Sequence, residues 1–231
     1  MNVPVGERSF RQEKYHGDIL MKIGILGAGR MGSTIGTVFA RLGHEVIFSY
    51  SRSQQKLQNL ALTSGGRACS PEYAVKQSNI LVLAVHWTQL DDVLSQAGDL
   101  RGKIVISCTN PLNISDTELV VAHTDSGAET VARKLPGAHV VAAFQATPSE
   151  VLLEVFEGKY TAPRPSMVYC GNDRESKKTV RELLKQFGFE PVDAGPLKLA
   201  RYIEPFAMLA TELAYGTPHG PKWVYNFGRY S

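Results

Sequence analysis

Gly27-Ala28-Gly29-Arg30-Met31-Gly32 is a G-x-G-x-x-G, and its chemistry is that of backbone rather than of acids or bases. Gly27 permits a tight turn, Gly29 lets the main chain approach a pyrophosphate, and Gly32 lets a helix pack closely on a strand. The N–H groups that open the helix then face the anion. At the end of the next apolar run stand Ser49-Tyr50-Ser51-Arg52-Ser53 and then Lys56, with no acid between Val46 and Lys56. An NAD site places Asp or Glu there for the ribose 2′-hydroxyl. A carboxylate repels a 2′-phosphate, whereas Arg52 offers it a forked pair of donors and Lys56 a second charge. Hydrogen bonds to charged groups contribute about 1.5–3 kcal/mol each, so Arg52 alone shifts preference by tens-fold. The spacing predicts a site for NADP(H).

The flanking elements give the motif its weight, because a lone glycine motif is weak evidence. Lys22 to Leu26 is a short apolar run suited to a buried parallel strand. Met31, Ile35, Val38, Phe39 and Leu42 form the stripe of a core-facing helix, with Gly43 as its left-handed stop. Val46 to Phe48 is the second strand. Ser70-Pro71-Glu72 has the cap, proline and early acid of a helix start. Strands are expected at Asn79 to Val85, Lys103 to Cys108 and His139 to Phe144, with Ser126 and Glu129 at capping-box spacing between the last two. This rhythm predicts an α/β fold, a Rossmann-like doubly wound parallel sheet, over residues 21–146. Residues 147–231 read as a small C-terminal α/β lobe. It has a strand at Ser166 to Cys170, a helix carrying Val180, Leu183, Leu184 and Phe187 closed by Gly188, a strand at Glu190 to Asp193, and a helix from Leu199 to Ala214. Residues 1–20 read as a polar N-terminal extension. Arg201 and Glu204 have the i, i+3 spacing of a surface helix pair.

Composition narrows the class. The chain has 231 residues, is 43% hydrophobic and carries a net charge of +3. It is long enough for a generous core, and the mild charge gives no reason to expect a nucleic-acid partner. Apolar stretches such as Ile80 to Val85 are far too short to span a bilayer, and no signal-peptide core opens the chain, so a cytoplasmic protein is expected. Cys69, Cys108 and Cys170 stand apart with no metal-binding spacing; they read as small core residues, and no metal site is expected.

The chain resembles the F420-dependent NADP oxidoreductases. The residues that carry this are the glycine motif, Leu42-Gly43-His44-Glu45, Ser51-Arg52, Lys56, Ala84-Val85-His86-Trp87, Gly102 to Val105, Cys170-Gly171-Asn172-Asp173, Glu175 to Lys178, and Asp193-Ala194-Gly195-Pro196-Leu197. The resemblance implies NADP(H) as cofactor, coenzyme F420 as co-substrate, direct hydride transfer between the two rings, and a homodimer, built with Phe206, Leu209 and Leu213 if these are not core. Carried over by position, the cofactor contacts are Ala28 to Met31, Ser51, Arg52, Lys56, Val85, Gln89, Asn110 and Ser149, beside Gly27 and Gly32. The family's pattern is broken at His86, which stands for proline, and at Gln145, which stands for His or Asn; both are expected near the acceptor. No catalytic acid is assigned, although His86 is a candidate cofactor contact. Other readings stay open: reduction of a flavin, quinone, ferric iron or imine, or a non-enzymatic NADP-binding redox sensor. The cytosolic domain of the Steap ferric reductases is related in pattern. The β-hydroxyacid dehydrogenases and pyrroline-carboxylate reductases share the opening fold but need a long helical domain, for which the chain after Pro196 has little room.

Overall fold

The computed structural model describes residues 20–160 and 163–228; nearly all of the expected N-terminal extension lies outside them. Eight strands form one sheet in the order β3-β2-β1-β4-β5-β6-β7-β8. The strands are β1 (Lys22–Leu26), β2 (Glu45–Ser49), β3 (Arg67–Ala68), β4 (Ile80–Leu83), β5 (Ile104–Ser107), β6 (His139–Ala142), β7 (Ser166–Gly171) and β8 (Glu190–Asp193). The helices are α1 (Arg30–Arg41), α2 (Gln54–Ser64), α3 (Pro71–Gln77), α4 (Leu90–Ala97), α5 (Gly127–Lys134), α6 (Ser149–Phe156), α7 (Arg174–Phe187) and α8 (Ala200–Tyr215). The first six strands are parallel, and their order reverses between β1 and β4. That reversal opens a crevice beyond the carboxyl ends of the strands, where doubly wound sheets bind ligands.

Register brings the strand ends level. Leu26 lies beside Ser49 and Leu83, Leu83 beside Ser107, and Ser107 beside Ala142. The loops leaving β1, β2, β4, β5 and β6 therefore meet on one edge. The strands are apolar on both faces because helices cover both. Ile23, Ile25, Val82, Ile106 and Val141 pack into one core layer, and Leu26, Leu81, Leu83, Val105 and Val140 into the other. This is the period-two alternation of a strand buried on both sides.

The C-terminal residues extend the same sheet. β7 runs antiparallel to β6, paired at Val141 with Gly171 and Ala142 with Cys170, and β8 runs parallel to β7. Phe187 and Phe189 close the join by packing edge-on to Phe39 of α1 and Phe144 after β6, at centroid distances of 5.4 to 6.4 Å. Helix ends follow their local chemistry. Ser70 and Ser126 accept from the N–H groups of Tyr73 and Glu129, and Gly188 ends α7 at a φ of 107°. On α8, Leu209 and Leu213 face outward, whereas Phe206 packs against Tyr225 and Phe227. No described helix is long and apolar enough to cross a membrane.

Two glycines set how closely α1 lies on the sheet. A Cβ on Gly32 would stand 1.9 Å from the Gly27 carbonyl oxygen, and one on Gly36 would stand 2.3 Å from the Phe48 ring. Neither neighbour has room to give. Gly32→Ala is expected to destabilise the fold by about 1–3 kcal/mol, read as a fall of several degrees in melting temperature with or without ligand.

Candidate active site at the sheet's carboxyl edge

Two adjoining clefts occupy the crevice, of about 1050 and 670 Å³. Gly29, Arg30, Ala84, Val85 and His86 line both. Of the residues expected to hold a cofactor, Gly27, Ala28, Ser51, Arg52, Lys56 and Gln89 line the larger cleft. Met31, Asn110 and Ser149 line the smaller. Gly32 borders neither and lies on the sheet-facing side of α1 against Gly27, Ile25 and Ala84.

The glycine loop is held from beneath. Gly27 N–H donates to the Ser49 carbonyl at 3.1 Å and Ala28 N–H to the Tyr50 carbonyl at 3.0 Å. These two groups are committed, so an anion would meet the opening N–H groups of α1, which have no intrahelical acceptor. A Cβ on Gly29 would meet no atom within 4 Å, although its φ of −75° suits any residue. The space above Gly29 is thus open for a ligand. Tyr50, which sequence reasoning passed over, has a φ of 57° and turns its hydroxyl onto Asp92 at 2.6 Å and Gln89 at 3.0 Å. Burial and the bond to Asp92 push its pKa up to about 12. Arg52 and Lys56 reach this cleft with no ion pair to any described residue.

The smaller cleft is walled by the loops after β4, β5 and β6 and by α8. His86 stands at the junction. Its Nδ1 accepts from Thr88 N–H at 3.2 Å and lies 2.7 Å from the Thr88 hydroxyl, while Nε2 is 2.9 Å from Asp116 Oδ1. The network therefore assigns the ring proton to Nε2, donating to Asp116. Both nitrogens are occupied, which makes His86 a strut between two loops. At the opposite rim, Arg30 pairs with Glu150 at 3.4 Å, and the Tyr215 hydroxyl donates to Glu150 at 2.7 Å. Cys108 lines the floor, and burial raises its thiol pKa far above neutrality, to an unreactive form.

Glu204 overturns its sequence expectation. It is 1% exposed rather than on the surface, and Arg201 pairs with Glu129 at 2.7 Å. Glu204 Oε2 and Oε1 accept from Gly127 and Ala128 N–H at 2.8 and 3.0 Å, satisfying the opening turn of α5. Gln145 Nε2 donates to Glu204 at 3.3 Å and to the Thr109 carbonyl at 3.2 Å. The i, i+3 rule missed this because its reference is an isolated helix, and here α5 supplies a stronger partner. Glu129 likewise leaves the expected capping box half made: it takes the Ser126 hydroxyl and Arg201, while Ser126 N–H goes to Asp125.

Comparison with known proteins agrees with this geometry. Residues 22–111 match the family described as NADP oxidoreductase, coenzyme F420-dependent. The chain is thus similar to the F420-dependent NADP oxidoreductases, as its motifs implied. The F420-dependent NADP reductase of Methanocaldococcus jannaschii is 33% identical over 142 residues, 59% of this chain and 62% of that one. Metalloreductase STEAP3 of Rattus norvegicus is 30% identical over 186 residues, 79% of this chain and 36% of that one. The chain therefore spans about a third of the metalloreductase and less than two thirds of the archaeal reductase. Among solved structures, one from Arthrobacter sp. FB24, provisionally described as an F420-dependent NADP reductase, superposes with a TM-score of 0.81 at 26% identity. It covers 90% of this chain and all of that one. A reductive aminase of Aspergillus terreus shares the fold at a TM-score of 0.62 and 19% identity, covering 84% of this chain and 62% of that one.

Two outcomes follow from this site. Gly29→Ala should leave the melting temperature within about 2 °C of wild type, yet weaken NADPH binding about tenfold or more, because its methyl fills ligand space alone. Burial raises the Glu204 pKa from 4.5 to about 7, against the lowering effect of its three hydrogen bonds; Glu129 adds to the rise. Between those values the folded state holds a proton that the unfolded state has lost. Glu204 thus reduces stability as pH rises from about 4.5 to about 7. Glu204→Gln should remove that component, so the difference in melting temperature between the two proteins should change across this window and be flat above about pH 8.

Proposed function

We propose that the chain is an NADP(H)-dependent oxidoreductase that passes hydride between NADP(H) and a deazaflavin, coenzyme F420. Arg52 and Lys56 carry the NADP half of this reading. Arg30, Arg41, Arg67, Arg101, Arg133 and Arg201 have carboxylate partners, whereas Arg164, Arg174 and Arg181 pair with none among the described residues but line neither cleft. Arg52 and Lys56 have none among the described residues, and they share a cleft wall with Ser51 at the opening of α2. Two cations without ion pairs fit a phosphate dianion and gain less from a bare ribose hydroxyl. The open space over Gly29 and the free first turn of α1 fit the pyrophosphate.

When bound, the nicotinamide and the deazaflavin supply the redox chemistry themselves. The chain's residues bind and align them. Gly29, Ala84 and Val85 form the shared wall at which ligands in the two clefts would abut. Ala146, Ala207 and Ala210 line the smaller cleft with small apolar groups, which leave room for a flat ring. His86 braces the loop bearing Asp116 and holds the mouth between the clefts.

A second reading, reduction of ferric iron as substrate, draws on the 186-residue similarity to metalloreductase STEAP3. Anaerobic mixing with NADPH and oxidised F420 separates them, with NADH, FMN and a ferric chelate run alongside. Rapid bleaching of the deazaflavin with NADPH is expected; tight NADPH binding with no bleaching would overturn the F420 assignment. Arg52→Ala should raise the NADPH dissociation constant by tens-fold and leave that for NADH within about twofold. An equal loss for both would remove the 2′-phosphate reading.

A further inference from the structure

Among the described residues, Asp92 is the one carboxylate lining the larger cleft, and Arg52 and Lys56 line the same cleft. Opposite charges on one wall have reason to pair, yet no ion pair joins Asp92 to either cation. Asp92 is engaged elsewhere. The Tyr50 hydroxyl donates to its Oδ2 at 2.6 Å, and Gln96 Nε2, one turn further along α4, donates to the same oxygen at 2.9 Å. Gln89 Oε1 stands 3.0 Å from that hydroxyl, but the single proton goes to the charged and nearer acceptor. Arg52 reaches the same group. Burial, the bond to Asp92 and the Asp92 charge raise the Tyr50 pKa, and the Arg52 charge opposes them. One hydroxyl thus stands in the field of both charges.

A tyrosine is a costly way to build this turn. Residue 50 has a φ of 57°, a conformation that glycine or asparagine adopts with less strain, and either would supply the carbonyl that holds Ala28 N–H. Strain kept at a cleft points to a role that offsets it. Tyrosine alone adds a ring, packed against the core layer that includes Leu26 and Leu83, and a hydroxyl aimed at Asp92. We infer that Tyr50 is a positioning residue for cofactor discrimination: with Gln96 it holds the Asp92 carboxylate on α4, so that Arg52 stays free for a 2′-phosphate.

The inference rests on the NADP(H) reading given above, and it explains how a phosphate site tolerates an acid. A carboxylate free to turn would offer Arg52 an internal partner, and that pair would have to break before a phosphate could bind. Held by two donors, Asp92 keeps its charge but not its freedom to move. Asp92 and Arg52 are exposed and Tyr50 is half-buried, so the effect is modest. An exposed ion pair shifts an equilibrium by up to about fivefold, and salt weakens it.

The test is a double-mutant cycle read as a selectivity, which loss of stability does not mimic. Equilibrium binding of NADPH and of NADH, followed by their fluorescence at low ionic strength, would be measured for wild type, Tyr50→Phe, Asp92→Asn and the double variant. Both substitutions keep the shape of the side chain, and a melting temperature for each variant checks the fold. In Tyr50→Phe the preference for NADPH over NADH should fall about three- to fivefold. Adding Asp92→Asn removes the released acid and should restore the preference to within about twofold of wild type. In Asp92→Asn alone the preference should equal or exceed that of wild type. At an ionic strength of about 0.3 M the loss in Tyr50→Phe should shrink, which a change in packing would not do. A preference preserved in Tyr50→Phe overturns the inference. So does a loss that persists in the double variant, since the hydroxyl would then act through backbone geometry alone. A fall in Asp92→Asn alone also overturns it, since the acid would then serve the ligand. A wild type that binds both dinucleotides equally defeats the NADP(H) reading and this inference with it, whereas failure confined to the variants leaves that reading standing.

Discussion

The closeness of α1 to the loop before it is the constraint from which the site follows. With no Cβ at Gly32, the helix settles directly on the Gly27 carbonyl. Its first turn then opens at the level where β1, β2 and β4 end. Any side chain there would lift the helix and carry its N–H groups away from the crevice. The loop is then tied from below by the carbonyls of Ser49 and Tyr50, so β2 fixes its height. The contacts that pack α1 also set the position of the crevice floor.

The other half of the crevice is built by polar rather than steric means. Three elements distant in sequence, α5, the end of β6 and α8, converge on the carboxylate of Glu204. Burying a carboxylate is costly, and its three hydrogen bonds offset only part of that cost. What the arrangement supplies is a definite orientation of the Gln145 amide. Phe144, just before it, has a φ of 67° and is wedged between Phe187 and Phe189. The strained turn at the end of β6 is thus held on its apolar side by aromatic packing and on its polar side by Glu204.

Much of this was legible in the residues. The glycine motif, the capping serines at 70 and 126, the stop at Gly188 and β8 at Glu190 to Asp193 all depend on local geometry, which sequence carries directly. Strand ends were read long: Asn79 to Val85 forms a ladder only from Ile80 to Leu83, because the residues beyond leave the sheet to line the crevice. Tyr50, Asp116, Glu150 and Tyr215 escaped notice, and Glu204 was misplaced. Each acts through a partner 30 or more residues away, and neither spacing nor propensity encodes which distant group will arrive.

The left-handed turn at Tyr50 bears on how this protein could change over evolutionary time. Residues that follow the second strand of such folds decide between the two nicotinamide dinucleotides, and the usual discriminating group is a carboxylate. Tyrosine tolerates a positive φ poorly, whereas aspartate and asparagine adopt it several times more readily than most residues. The backbone at position 50 is therefore already shaped for an acid. Its carbonyl, which supports the glycine loop, would be untouched by the exchange. With Arg52 and Lys56 still lining the same cleft, an acid at position 50 would face two cations, so a change of dinucleotide in such a lineage needs their replacement as well.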